Sequence, residues 1–307
     1  MQTINTPPKT AKMVATDDWK RADRYGKLAH YYHQRALRRW RQATARFRVL
    51  PHFIVAGAPK CGTTALYYYL LSHPQVAAPS RNEIGFFSDK FQYGPDWYRS
   101  YFPTKLMMSW RARYSGKKVI TGEHTPFYMM HPLAAQRMAD TLPDVRLIIL
   151  LRDPVERAYS HYQHEFRCSH ESLCFRDAIA MEPQRTTQEV DRMRLEPEYH
   201  SPEYIRHAYL DQGKYCTKLE RLFKYIDRNR VFIIKSEDLF ERTQDVFKKV
   251  LDFLYLDSFE LKKIERVNSG EYIPLHAVDP SFDSELREYF VPSNRSLYSF
   301  LGVDFEW

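Results

Sequence analysis

Short apolar runs alternate along this chain with longer segments in which apolar and polar positions are mixed. The apolar runs predict buried strands at residues 53–56, 118–123, 146–151 and 231–234. The mixed segments predict helices at residues 65–72, 133–142, 158–166, 203–226, 244–255 and 284–301. A polar segment with several prolines, 182–202, predicts a long loop. Strands that alternate with helices in this way favour an α/β fold with a parallel, doubly wound sheet.

The first 48 residues differ in charge from the rest of the chain. They hold 12 Lys and Arg against 3 Asp, a balance of +9, whereas the remainder has a balance of −1. Residues 1–16 are polar and predict disorder, and residues 17–47 predict a basic helix with interspersed aromatic residues. Such a helix can contact a polyanion, a membrane surface or a partner subunit. We favour the plainer interpretation that it packs on its own domain. The sequence thus predicts a basic arm, 1–48, and one domain, 49–307.

Neither the apolar pattern nor the cysteines indicate a membrane span, a secreted protein or a metal site. No stretch approaches the roughly 20 apolar residues of a transmembrane helix, and the start lacks the apolar core of a signal peptide. We therefore expect a soluble, cytoplasmic protein without a transmembrane segment. The cysteines are Cys61, Cys168, Cys174 and Cys216, with no CxxC pair and no His at zinc-like spacing. Free thiols are favoured over a Cys168–Cys174 disulfide.

A candidate phosphate-binding loop, residues 57–64, follows the first predicted strand and precedes a helix. Gly57 and Gly62 have the spacing of the ATP-binding motif G-x-x-x-x-G-K-[ST], but Thr63 stands where that motif has Lys. Amide groups at a helix N-terminus attract anions. The loop's own lysine, Lys60, precedes the second glycine. At that point it can stabilise negative charge on a departing phosphate oxygen.

A second candidate anion ligand, Arg152, directly follows the clearest predicted strand, 146–151. A magnesium-dependent kinase usually has an Asp at such a strand end, whereas Arg binds an anion directly. We therefore expect a nucleotide with a second phosphate, bound without a metal. Ser160, about two helical turns further on, can add its hydroxyl. The alternative is that Arg152 only pairs with a local carboxylate, Asp153 or Glu156.

Two of these segments resemble motifs of a known family. Residues 58–66, Ala-Pro-Lys-Cys-Gly-Thr-Thr-Ala-Leu, resemble the 5′-phosphosulfate loop of sulfotransferases that use 3′-phosphoadenosine 5′-phosphosulfate (PAPS). Residues 150–160 resemble the 3′-phosphate motif of the same family, and similarity continues at 213–215, 237–239 and 294–298. The resemblance covers about residues 50–307 and is greatest to carbohydrate sulfotransferases of the bacterial and heparan sulfate types. It implies a P-loop-like three-layer fold with a central parallel sheet flanked by helices.

The resemblance also implies roles for individual residues. Lys60, helped by the Thr63 and Thr64 hydroxyls, and Arg152 with Ser160 would hold the two phosphate ends of PAPS. The full set implied for binding PAPS, or its product adenosine 3′,5′-bisphosphate, is Lys60, Cys61, Gly62, Thr63, Thr64, Ala65, Arg152, Ser160, Tyr215 and Arg295. The set implied for catalysis is Lys60, Glu83, His124 and His164, and no metal is expected.

The identity of the general base stays open between two of these residues. Glu83, in Glu83–Phe87, matches the segment where carbohydrate sulfotransferases have a catalytic Glu. His124 stands where heparan sulfate enzymes usually have Lys. It can replace that Lys or act as the base itself, as a His does in cytosolic sulfotransferases. His164 matches a histidine near the transferring group or the acceptor.

The function that this resemblance implies is transfer of a sulfuryl group from PAPS to a hydroxyl or amine of a saccharide-like acceptor. One alternative within the class is a small-molecule alcohol or natural product as acceptor. A P-loop nucleotide kinase is an alternative from another class, disfavoured by Thr63 and Arg152. A third is a non-enzymatic binder of nucleotides or polyanions that uses the basic arm. We expect no specific nucleic-acid partner.

Overall fold

A single parallel β-sheet forms the centre of the computed structural model, which describes residues 32–33, 35–262 and 272–307. Its strands are β1 (Phe53–Gly57), β2 (Val76–Ala77), β3 (Ile120–His124), β4 (Arg146–Leu151) and β5 (Val231–Lys235). Their order is β2-β3-β1-β4-β5, with every neighbouring pair parallel. This confirms the four predicted strands and adds the short edge strand β2. Because all strands run the same way, their carboxyl ends lie along one edge of the sheet.

Helices flank this sheet, which confirms the α/β fold class. The α-helices are Thr63–Ser72, Phe86–Asp89, Gly94–Arg99, Lys105–Ser115, Ala134–Thr141, Pro154–Arg167, Phe175–Thr186, Glu189–Leu195, Pro202–His207, Tyr215–Phe223, Ser236–Glu241, Thr243–Phe253, Leu275–Val278 and Pro280–Leu301. Residues 35–43 are also helical.

Burial explains why the central strands could be recognised from apolar runs. All five residues of β1 are buried, as are Leu147–Leu151 of β4. Strands buried on both faces read as continuous apolar runs. β3 is equally buried but contains Gly122, where a Cβ would overlap the ring of Phe53. The glycine is therefore required for β3 to lie against β1.

Two predicted segments between β4 and β5 were wrong. The expected loop 182–202 contains the end of the Phe175–Thr186 helix and all of Glu189–Leu195. The expected helix 203–226 is divided into Pro202–His207 and Tyr215–Phe223. Tertiary contacts override local propensity here: the Glu182 carboxylate accepts from the amides of Leu210 and Asp211, at 2.7 and 2.8 Å, and holds the connecting turn.

The last part of the basic arm packs on the domain. Arg48 is buried, forms an isolated antiparallel bridge with Thr104, and donates from Nη1 to the carbonyl of Phe102 at 2.8 Å. The predictions for residues 1–31 lie outside the described residues. Among the helices that the structure describes, none is long and apolar enough to cross a bilayer.

Candidate active site

The carboxyl edge of the sheet brings together the loops that the sequence singled out. β1 leads into the loop with Lys60, β3 ends at His124, β4 leads to Arg152, and β5 leads to Ser236. In open parallel sheets, ligands bind at this edge.

The loop after β1 has the backbone of an anion cradle. Gly62 has φ +83° and directly precedes the Thr63–Ser72 helix, whose first amide groups have no acceptor within the helix. A Cβ on Gly62 would lie 2.8 Å from the ring of Phe240, so the ring would have to shift, and the positive φ itself favours glycine. From the opposite side, Ser236 Oγ donates to the carbonyl of Cys61 at 2.7 Å and holds the loop against the end of β5.

Lys60 lies in this cradle in a strained conformation. Its φ of +68° is one that side chains other than glycine rarely adopt. Burial lowers the pKa of its ammonium group, nearby Arg167 and Arg157 lower it further, and Glu165 raises it. Backbone strain of this kind concentrates at functional sites. The cation is therefore held near two other cations, with Glu165 offsetting part of their charge, which suits an anionic ligand.

Glu83, His124 and Thr64 form a contact group beside the cradle. His124 Nε2 is 3.5 Å from Glu83 Oε1 and 3.4 Å from Thr64 Oγ1, and its ring stacks on Tyr67 with centroids 5.1 Å apart. The His124 side chain is only 3% exposed, whereas that of Glu83 is 61% exposed. Burial lowers the pKa of His124 to about 4, so the ring is neutral near pH 7.

The Glu83 carboxylate is the more accessible of the two candidate bases. Desolvation raises its pKa, while Lys60 and Arg81 lower it. Its φ is +50°, and its amide donates to the carbonyl of His124 at 3.1 Å. The backbone of β3 thus fixes Glu83, with its carboxylate open to an incoming acceptor.

A buried carboxyl group, Glu123, supports this arrangement from below. It accepts hydrogen bonds from the hydroxyl groups of Tyr98, Thr125 at 3.0 Å and Tyr128 at 3.1 Å. Thr125 Oγ1 also accepts from the amide of Gly85 at 3.4 Å, two residues after Glu83. Burial raises the pKa of Glu123 to about 7, against those hydrogen bonds. Glu123 therefore positions the site without being exposed to it.

Arg152 forms an ion pair with Glu156, with Nη2 3.2 Å from Oε2. This is the local pairing that the sequence offered as the alternative to anion binding. Both side chains are partly exposed, so the pair does not close off the guanidinium. Burial lowers the pKa of the Arg152 guanidinium, but Tyr272 and Glu156 raise it, and the pKa is raised above its ordinary value. Ser160 lies on the Pro154–Arg167 helix and is half-buried.

Sequence reasoning missed the side chains that join these loops. Asp153 caps the Pro154–Arg167 helix by accepting from the amides of Val155 and Glu156, and it pairs with Arg287 at 2.6 Å. The Asp153 amide donates to Glu237 Oε1 at 3.0 Å. An Asp before Pro is a recognisable capping signal. The partners Arg287 and Glu237 lie far away in sequence; Glu237 begins one of the segments that resemble the family, and Arg287 carried no local signal.

Arg157 is the other residue that was missed. Its side chain is fully buried; Nη2 donates to the carbonyl of Tyr209, while Nε and Nη1 have no partner. It acts electrostatically on both Lys60 and Cys61. An orphaned buried guanidinium beneath the cradle adds positive potential there. This fits an anionic ligand.

The remaining expected site residues have different surroundings. His164 is 46% exposed, and Lys60 acts electrostatically on it, which places it on the Lys60 side of the site. The Tyr215 hydroxyl donates to the Arg152 carbonyl at 2.8 Å and lies 3.8 Å from Cys61 Sγ, so it joins the two loops. Arg295 is exposed on the Pro280–Leu301 helix, and no contact of the described residues connects it to the other site residues.

All four cysteines lie within the described residues, and none is in a disulfide. Cys61, Cys168, Cys174 and Cys216 are free thiols, and burial raises the pKa of Cys61 to about 11, so its thiol is unreactive. Within the part of the chain that the structure describes, no group of three or more His, Cys, Asp or Glu side chains could hold a metal ion.

Comparison with known proteins agrees with this geometry. Residues 50–268 match the family described as "Sulfotransferase domain". A sulfotransferase from Alicyclobacillus acidocaldarius superposes with a TM-score of 0.61 at 26% sequence identity, covering 84% of this chain and 98% of that one.

Curated relatives were also found. A "Membrane-associated sulfotransferase" of Dictyostelium discoideum is 28% identical over 84% of this chain and 66% of its own length. A "Heparan sulfate glucosamine 3-O-sulfotransferase 3B1" of Mus musculus is 28% identical over 84% of this chain and 65% of its own length. A bifunctional heparan sulfate N-deacetylase/N-sulfotransferase of Caenorhabditis briggsae matches over only 23% of its length. The chain thus spans just under two thirds, or far less, of these relatives.

Proposed function

This chain belongs to the sulfotransferase family, and from that premise we propose that it transfers a sulfuryl group from PAPS to a hydroxyl or amine of a saccharide-like acceptor. The observation that carries the proposal is the cradle at residues 57–64 with Lys60 in it, next to an exposed carboxylate at Glu83. The relatives named for heparan sulfate support a saccharide acceptor. The alternative acceptor is a small-molecule alcohol or natural product.

Two groups of residues would hold PAPS. The amides of residues 61–65, with Lys60 and the Thr63 and Thr64 hydroxyls, would hold the 5′-phosphosulfate. The first amides of the helix have no acceptor within it, whereas the Cys61 amide also donates to the Ala58 carbonyl at 3.3 Å. Arg152 and Ser160 would hold the 3′-phosphate, with the Arg152 loop fixed by Tyr215. The orphaned Arg157 guanidinium and the lack of space for a side chain at Gly62 fit an anion gripped by backbone amides.

When bound, PAPS supplies a sulfuryl group already activated for transfer. The Glu83 carboxylate takes the proton from the acceptor hydroxyl as that oxygen attacks. The Lys60 ammonium stabilises the negative charge left on the 5′-phosphate oxygen. Neutral His124 has two oxygens near Nε2, Glu83 Oε1 at 3.5 Å and Thr64 Oγ1 at 3.4 Å. With the proton on Nε2, the ring would donate to the Glu83 carboxylate and orient the base. His164 would contact the acceptor.

Calorimetry with adenosine 3′,5′-bisphosphate and with ATP, each with a chelator and again with added magnesium, tests the nucleotide site. We expect the bisphosphate to bind and ATP not to. Lys60→Ala should weaken the bisphosphate, and Lys248→Ala, an exposed lysine on the Thr243–Phe253 helix, should not. Binding of ATP that requires magnesium would favour a nucleotide kinase instead.

Transfer itself is tested with labelled PAPS against a panel of glycans, small alcohols and amines. We expect label on a glycan with the wild-type chain and none with Glu83→Gln, although that variant should still bind the bisphosphate. Label on small alcohols alone would replace the saccharide acceptor by the alternative. No transfer to any acceptor, together with unchanged binding, would favour a nucleotide-binding protein without activity.

A further inference from the structure

An unusual apolar surface lies away from the active-site edge, on the Lys105–Ser115 helix. Met108 and Ala112 pack on this helix's inner face against Ala77 of β2. On the opposite face, Leu106, Trp110 and Tyr114 follow one another at intervals of four residues. They are 81%, 64% and 84% exposed. A stripe of three large apolar side chains on one exposed helix face indicates an interaction surface.

The charge around this stripe is mainly positive, although Lys117 pairs with Asp257 and Arg99 pairs with Asp96. Residues 97–122 contain six Lys and Arg and no Asp or Glu. The arm segment 35–48, which joins the start of the helix through the Arg48–Thr104 bridge, contains six Arg and no acid. Trp40 lies under the Arg48 guanidinium at 4.9 Å and is itself largely exposed. Exposed apolar side chains surrounded by Lys and Arg are complementary to a surface with negative charge outside and an apolar layer beneath, such as a bilayer with anionic lipids.

From this complementarity we propose that the Leu106–Trp110–Tyr114 face docks on the surface of a membrane that contains anionic phospholipids. Leu106, with Met107 beside it, would enter the acyl boundary. Trp110 and Tyr114 would lie at the headgroup level, where such side chains are favoured. The surrounding Arg and Lys would contact the lipid phosphates.

The packing of the two rings favours a lipid over an anionic polysaccharide. Trp110 and Tyr114 stack on each other, with centroids 5.7 Å apart and planes inclined by 16°. That stacking covers one of the two faces of each ring and so leaves fewer faces on which a sugar could lie. An aliphatic side chain such as Leu106 also has little to offer a polysaccharide, whereas its burial in lipid is favourable.

Cosedimentation of the full chain with vesicles tests the proposal. Vesicles of 70% phosphatidylcholine and 30% phosphatidylserine should bind the protein, and vesicles of phosphatidylcholine alone should bind it much less. Leu106→Glu should weaken binding by about tenfold to a hundredfold, since one large apolar contact is lost. Leu195→Glu is the matched control, because Leu195 is 82% exposed at the end of another helix. Its binding should be unchanged.

Thermal unfolding of both variants checks that each is folded. Three results would overturn the proposal: no binding to either vesicle, equal loss in the two variants, or unchanged binding in Leu106→Glu. A soluble heparin chain is a separate probe. Heparin binding that depends on Leu106, without vesicle binding, would assign this face to a polysaccharide. Concentration-dependent dimers lost in the same variant would assign it to a second copy.

Discussion

The neighbouring carboxylate and imidazole of Glu83 and His124 allow a decisive test of which residue is the general base. Their side chains are 3.5 Å apart, so position alone does not distinguish them. Their ionisation does, because burial moves the two pKa values in opposite directions: that of His124 falls to about 4, and that of Glu83 rises above its ordinary 4.5. We predict that Glu83 is the base and that His124 positions it.

The expected magnitudes follow from those pKa values. At pH 7 only about one His124 ring in a thousand would be protonated. His124 is thus a weak base with little tendency to take a proton. Replacing Glu83 by Gln removes proton transfer, which contributes about 10²–10⁴-fold to a rate. His124→Gln keeps a donor beside Glu83, so we expect at most about a tenfold loss.

The pH dependence provides the second measure. The base must be unprotonated, so activity declines as the pH falls through its pKa. With Glu83 as base, the wild-type rate falls along an acidic limb above pH 4.5, because the pKa is raised from that value. With His124 as base, the limb would lie near pH 4.

The assay is the initial rate of labelled sulfuryl transfer at saturating PAPS, measured from pH 4 to pH 8 for each variant. Glu203→Gln is a matched control, because Glu203 Oε2 is also 3.5 Å from a largely buried histidine, His207, away from the site. It should leave rate and profile unchanged. If His124→Gln lost 10²-fold or more while Glu83→Gln kept the acidic limb, our assignment of the base would be wrong.

Three further predictions concern the cradle and its supports. Gly62→Ala should lower the free energy of unfolding in urea by at least about 2 kcal/mol, since φ is +83° and the Cβ meets Phe240. The control Gly116→Ala should lower it by only about 1–2 kcal/mol, because Gly116 has φ +68° but open space around its Cβ position. Glu123 stabilises the protein fully below pH 4.5 and loses that contribution as the pH rises through about 7. The stability advantage of wild type over Glu123→Gln should therefore shrink by about 3 kcal/mol between pH 4.5 and 7.5, and a constant difference would contradict the raised pKa. Arg152→Ala should weaken adenosine 3′,5′-bisphosphate by roughly 10–100-fold in calorimetry but leave adenosine 5′-phosphate unchanged; equal losses would place Arg152 away from the 3′-phosphate.

The parts of the fold that local physics determines could be predicted from the sequence. β1 and β4 are apolar because both of their faces are buried, and the glycine loop marks its own turn. The segment 182–226 could not be predicted, because its helix breaks depend on Glu182 accepting from amides nearly thirty residues away. A carboxylate that caps a distant turn has the same sequence signature as a solvated one.

The site shows the same division between local and distant causes. Lys60 and Arg152 follow strands and carry motifs, so their place at the sheet edge could be inferred. Glu83 lies outside any strand, and only contacts with β3 place it beside His124. No periodicity indicates that contact. The orphaned Arg157 is equally hidden, because an arginine on a helix usually points to solvent.

Two site residues with strained backbones are held by buried polar groups. Lys60 and Glu83 both have left-handed backbone conformations, which cost about 1–2 kcal/mol each in a residue with a side chain. Such conformations persist only when the surroundings determine them. Ser236 holds the Lys60 loop, and the Glu123–Thr125 pair holds the turn after Glu83. Neither support touches the space above the cradle. The positions of the cation and the base therefore depend on residues that an acceptor never meets, and substitutions in those supports should lower activity before they unfold the protein.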